Sequence, residues 1–312
     1  MNSFFVAFNA VLPMTFLAVS GYLLKKNGYF SKDTINALNK ICFDVFLPVL
    51  TFNNISKSDI HTVFDIKLIL YAVFCIVTTI FICILSIPFI EKDKGKQGSL
   101  IQGIYRSNFV ILGLPLAAHL GGDVAQEITS MLLMIIIPMY NFFAVIILSV
   151  YGGNSVDKKK LVVNILKNNM IIGSIIGIIV SLLGIRFSSP IQKTIDNFSV
   201  LGGILPMVVL GASLDLSRVT TNKPKLIAGV VSKLIIVPLV FLSLATFIGY
   251  RNEKIISLIA MLTSPTAVSS AVMAGQMGCN YELSTQLVVF STVFSCITVF
   301  FWIFTFDFLQ II

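Results

Sequence analysis

Charge is what this sequence has least of. Only 12% of its 312 residues are Asp, Glu, Lys or Arg, about half of what a soluble domain of this length carries on its surface. With 56% hydrophobic residues and a mean hydropathy of +0.95, the exterior must be apolar as well as the core. The solvent implied is lipid, and the 26 Phe beside a single Trp fit that depth.

Other shortages exclude further classes. There are two histidines, His61 and His119, with no partner at metal-ligand spacing, so no zinc site and no cofactor are expected. The five cysteines (Cys42, Cys75, Cys83, Cys279 and Cys296) are odd in number, lack a C-x-x-C pair and lie in or beside apolar runs. Buried thiols are therefore expected rather than a disulfide framework. No H-E-x-x-H, no G-x-S-x-G and no close pair of buried carboxylates occurs, which leaves an intramembrane enzyme as the weakest reading. The net charge of +8 comes without basic clusters interleaved with aromatics, so it does not point to nucleic acid. The run Phe4 to Leu24 has no basic stretch before it and no small-x-small site after it, and Lys25 and Lys26 follow it. That layout predicts a retained helix with its N-terminus outside.

What is present is a series of apolar runs near the ~20 residues a span requires: 4–24, 36–55, 67–90, 100–120, 128–150, 165–184, 192–214, 226–248, 255–276 and 285–308. Connectors are short, so no soluble domain is inserted. With the N-terminus outside, the odd-numbered connectors face the cytoplasm and hold sixteen of the 22 Lys and Arg, with Arg106 and Lys233 counted among them. Positive residues are retained on that side, so the bias predicts ten spans in the cell (inner) membrane with both termini extracytoplasmic.

The connector 151–164, with Gly152-Gly153 and Lys158–Lys160, divides the chain into 1–150 and 165–312. Five spans on each side force the halves into opposite orientations. Phe46-Leu47-Pro48-Val49-Leu50 in the second span is echoed by Ile204-Leu205-Pro206-Met207-Val208 in the seventh. The fourth and ninth spans are both interrupted, by Asn108 to Gly113-Leu114-Pro115 and by Thr263-Ser264-Pro265-Thr266. The expected fold is an all-α integral membrane protein of ten transmembrane helices, two inverted five-helix repeats with broken crossover helices 4 and 9. Paired interruptions of this kind are the best pointer in a sequence to a transporter's binding site.

Pro115 and Pro265 lack an N–H, and each ring crowds the carbonyl one turn earlier. Backbone groups freed in this way must be buried in protein or line a wet cavity. Half-helix N-termini crossing at mid-membrane offer free N–H groups and partial positive charge, a site for a carboxylate without a buried Arg or Lys. Asn108, Asn141, Ser264 and Thr266 supply polar groups nearby. Ser269 and Ser270 either join them or bond back to their own helix. Asp44, four residues before Pro48, either couples transport to protons from a buried position or meets water and pairs with Lys40. Asp215, Lys233 and Asp307 fall near span ends and read as snorkelling, and His119 as interfacial.

These residues carry a resemblance. Leu47-Pro48-Val49-Leu50, Asn108 through Gly113 to Pro115, Met139-Tyr140-Asn141, Leu210-Gly211-Ala212-Ser213-Leu214 and Ser264-Pro265-Thr266, in that order over nearly the whole length, resemble the auxin efflux carrier family, in particular its short bacterial members described as malate or malonate permeases. The resemblance implies a scaffold and a transport domain, with Pro115 and Pro265 as crossover prolines and Asn108 as a substrate contact. It also implies elevator-type alternating access and a homodimer. The long central loop of the plant members is replaced by Tyr151–Asn164, which argues against auxin itself. The competing transport reading is a sodium-coupled symporter of the bile-acid type. Its sodium sites require carboxylates and amides at the crossover, where the ninth span offers hydroxyls and Gln276.

Overall fold

The computed structural model describes residues 13, 16–57, 65–152, 167–213 and 219–312, the side chains of 219–222 excepted. His61, Asp215, Arg218, the connector from residue 153 to 166 and most of the first half of the first expected span lie outside the described residues. The remainder is helical: α1 (16–26), α2 (Lys32–Ile41), α3 (Leu47–Lys57), α4 (Ile66–Ile90), α5 (Lys94–Tyr105), α6 (Leu114–Tyr151), α7 (Asn169–Leu182), α8 (Ser189–Ser213), α9 (Val219–Val231), α10 (Val237–Ile248), α11 (Asn252–Thr263), α12 (Val268–Gln276) and α13 (Tyr281–Phe308). Among the described residues the sole extended pairing is one antiparallel bridge between Ser107 and Thr266. Among the described residues, six continuous helical segments are long and apolar enough to cross a membrane.

Helix starts follow side-chain chemistry. Ser31, Asp65, Asp93, Asn168 and Asn280 each accept a main-chain N–H of the first turn that follows them, meeting donors that have no partner within the helix. Asp65 also accepts from Lys254 at 2.7 Å, tying the start of α4 to α11. That bond is the largest influence holding the Asp65 carboxyl below its ordinary range.

Prolines shape the interior. Leu47-Pro48, Leu114-Pro115 and Val237-Pro238 each follow directly on a five-residue π-helical turn, at Cys42–Phe46, Phe109–Gly113 and Ser232–Ile236. A proline cannot bond the carbonyl four residues back and its ring pushes that carbonyl away, so the preceding turn widens. Two of the carbonyls so released find donors from distant helices. Asp44 O accepts from Asn169 Nδ2 at 3.2 Å, and Leu234 O accepts from Nε1 of Trp302, the chain's single tryptophan, at 2.9 Å. This assigns Pro115 a different place from the one expected: it sits one turn inside the second half-helix, and the break itself lies at residues 106–108.

The segment from Phe109 to Tyr151 is continuous over 43 residues, about 65 Å if straight, roughly twice the hydrocarbon thickness. It is divided at Gly121 and Gly122, where Gly122 takes φ 61° and ψ −153°, a conformation open to glycine. His119 is exposed beside this bend.

The helices pack in two groups. α2, α3, α7 and α8 lie against one another, and α4 to α6 and α9 to α13 surround the broken pair α5 and α11. In the first group glycines let backbones touch: a Cβ on Gly173 or Gly202 would come within 2.6 Å of the Pro48 carbonyl oxygen or 2.5 Å of the Phe46 carbonyl oxygen. Where α1 crosses α8, Gly21 lies on the main chain of Val208 and Gly211 on the main chain of Ala18, a small-residue contact typical of helices in lipid. Outward faces are apolar, with Phe81, Phe89 and Phe247 61–89% exposed. All five cysteines are free thiols, four of them buried.

Candidate functional site at the helix crossover

Both interruptions are real, and they meet. α5 ends at Tyr105 and α11 at Thr263, and residues 106–108 and 264–267 run extended past each other. Asn108 N–H donates to Pro265 O at 2.7 Å, and Ala267 N–H donates to Arg106 O at 3.1 Å. Chain direction then resumes as helix from Phe109 and from Val268. Two half-helix C-termini and two N-termini therefore converge on one place.

The carbonyl ends are answered within the protein. Thr266 Oγ1 donates to Gly103 O at 2.7 Å, while Thr266 N–H donates to Ser291 Oγ at 3.1 Å. Lys233, 1% exposed, donates to Ser107 Oγ. An ammonium here offsets the partial negative charge of the helix ends. The amide ends instead face a cavity of about 60 Å³ lined by Phe109, Val110 and Ile111 from one half-helix and by Val268 and Ser269 from the other. Arg106, Ser107, Asn108 and Tyr140 complete that wall. The opposite wall comes from the first helical group, through Leu50, Thr51 and Asn54 of α3, Met170 of α7 and Gly202 of α8.

Arg106 dominates the electrostatics. It is 3% exposed; Nη2 donates to Asn141 Oδ1 at 2.6 Å and Nη1 points at the sulfur of Met273. Asn141 in turn donates to Ser174 Oγ at 3.1 Å. Among the described residues no carboxylate lies within ion-pair distance of Arg106 or of Lys233. A buried cation without a counter-charge is expensive to keep. Arg106, on the cavity wall, marks a place prepared for negative charge.

Of the residues singled out from sequence, Asn108 lines the cavity, and so does Ser269. Pro265 and Thr266 build the crossing through their main chains. Ser264 bonds back to Ala260 O at 2.6 Å, and the Ser270 hydroxyl is buried without a hydrogen-bond partner among the described residues. Gly113 serves close packing: a Cβ there would lie 2.6 Å from the Phe109 ring and 2.8 Å from Ala260 O. Asn141 is fully buried and reaches the cavity through Arg106 rather than directly. Pro115 is exposed and Asp44 is exposed, both outside the cavity lining.

Arg106 and Lys233 were missed because sequence reading assigned both to the positive-inside tally, and Lys233 to snorkelling. The corrective signal was available: both lie inside the expected runs 100–120 and 226–248. Asp44 lacks the burial on which its proposed proton coupling rested, so Asp44→Asn is expected to leave the pH profile of uptake unchanged. A flattened profile in proteoliposomes would restore it to the site.

Long apolar helices around a pair of interrupted helices, with uncompensated cations at the interruption, are the construction of an integral membrane transporter. The chain belongs to the auxin efflux carrier family, whose model, described as "Membrane transport protein", matches residues 6–303. It is also similar to an "Uncharacterized transporter" of Methanothermobacter thermautotrophicus, 21% identical over 299 residues that cover 94% of this chain and 96% of that protein.

Proposed function

We propose that this transporter carries a small organic anion, a carboxylate such as malate, malonate or an auxin-like acid. The observation that carries the reading is Arg106, a guanidinium buried without a carboxylate beside two half-helix N-termini. A guanidinium binds a carboxylate through two parallel N–H bonds. The amides at the starts of the half-helices add donors and partial positive charge, and Asn108 and Ser269 stand close enough to orient the rest of the solute. Lys233 would hold the other face of the crossing while the anion comes and goes. The buried Arg106 guanidinium on the cavity wall argues against a bound sodium ion there.

The cavity has room for about two waters, too little for a dicarboxylate. Its two walls belong to different helical groups, so we read admission of the substrate as separation of those groups. In this reading the group around the crossover slides against α2, α3, α7 and α8 in an elevator-type movement. Ten spans, arranged as inverted repeats 1–150 and 165–312 with both termini outside and paired as a homodimer, complete the proposal. Protons are the preferred coupling ion.

A thermal-shift series on purified protein tests the anion. Mono- and dicarboxylates at a hundred times their Kd are expected to add about 2.7 kcal/mol of apparent stability, and the matching neutral amides none. Equal shifts with acids and amides would remove anion recognition from the site.

A further inference from the structure

A second cavity lies between α9 and α13, lined by none of the residues that line the first. It measures about 380 Å³, its lining surface is wholly apolar, and it is open along one side. Leu226, Val230 and Leu234 are its floor, each at most 9% exposed, while Ile227 and Phe294 stand 51% and 48% exposed along its rims. The groove runs from Lys223 to Ile235 along one wall and from Phe290 to Thr298 along the other. The span from Lys223 to Ile235, at about 1.5 Å of rise per residue, makes it about 18 Å long, close to the ~15 Å depth of one leaflet's hydrocarbon.

Charge marks one end. Lys223 opens the long apolar segment Lys223–Ile248 and is exposed at the mouth of the groove. Among the described residues it makes no ion pair, whereas Lys225, two residues on, is engaged by Glu91 at 3.0 Å. A groove about one leaflet deep, lined by apolar surface and with the exposed Lys223 side chain at one end, has the shape and charge of one lipid molecule. We infer that this groove is a binding site for an anionic phospholipid, with an acyl chain along Leu226, Val230 and Phe294 and the phosphate headgroup on Lys223. Neutral lipid fills the same apolar slot without the charge contact, so selectivity resides in Lys223. The assignment does not depend on what the crossover carries.

Native mass spectrometry of delipidated protein, reloaded with equimolar phosphatidylglycerol and phosphatidylcholine, provides the test. Wild type is expected to retain phosphatidylglycerol selectively, and Lys223→Glu to reduce that preference at least about fivefold, the worth of one surface cation facing anionic lipid. Ile227→Trp, which fills the slot from an exposed position, is expected to reduce retention of both lipids while leaving the protein folded. Equal retention of the two lipids by wild type, or an unchanged preference in Lys223→Glu, would overturn the assignment. So would displacement by glycerol phosphate alone, which would make it a headgroup site. A lipid-free dimer broken by Ile227→Trp would make the groove a protein interface and overturn it as well.

Discussion

Arg106→Gln is expected to lose substrate binding and uptake by at least about a hundredfold, because losing a buried charge-assisted partner costs on the order of 3 kcal/mol or more. The same variant is expected to keep, or modestly gain, stability without ligand. Removing a cation that is 3% exposed and has no carboxylate relieves its desolvation, and sites built for function commonly carry that trade. Arg106→Lys should fall between the two, since it keeps charge but cannot make the two-pronged contact or hold Asn141 as the guanidinium does. Uptake into proteoliposomes and ligand-induced thermal shift separate these effects. Normal uptake by Arg106→Gln would place the substrate elsewhere; a variant that fails to fold would show that Arg106 is structural.

Gly21→Leu and Gly211→Leu are each expected to abolish recovery of folded protein. Extra volume in a packed core ordinarily costs about 1–3 kcal/mol, when neighbouring side chains can rotate aside. Here the new carbon meets the main chain of Val208 or of Ala18, which has no rotamer to change. Gly203→Ala on the same helix is the control, since its Cβ meets one atom within 4 Å, the end of the Ile111 side chain at 3.7 Å. Monodispersity after extraction reads the outcome. A monodisperse Gly211→Leu protein would mean that α1 and α8 do not cross as described.

How much of this was legible in the sequence differs by level. The helical runs were, because apolar stretches of span length have few other uses. The interruptions were too, since Asn108 and the Ser264-Pro265 pair break the pattern in corresponding places. What made them interruptions was read less well: Pro115 widens the turn before it, as Pro48 and Pro238 do, and the chain opens at 106–108 before reaching it. The cations were hidden by a sound rule applied too far. Counting Lys and Arg as connector residues works for orientation, but Lys233 lies inside an apolar run where Lys225 lies just before one, and the tally took no account of that difference. Asn141 was chosen because an amide in an apolar run needs a partner. It has one, 35 residues earlier in the chain, a distance that periodicity does not see.

The crossing has a consequence for how the protein is made. The amide of Asn108 takes its acceptor from residue 265, and the carbonyl of Arg106 its donor from residue 267. A ribosome working at about 5–20 residues per second needs on the order of ten seconds to deliver the second strand after the first. Through that interval the early half sits in the bilayer with an open seam, to be covered by water, lipid or the insertion machinery. A product cut short after residue 152 never closes the seam. Completion of the chain is thereby written into its own hydrogen bonding.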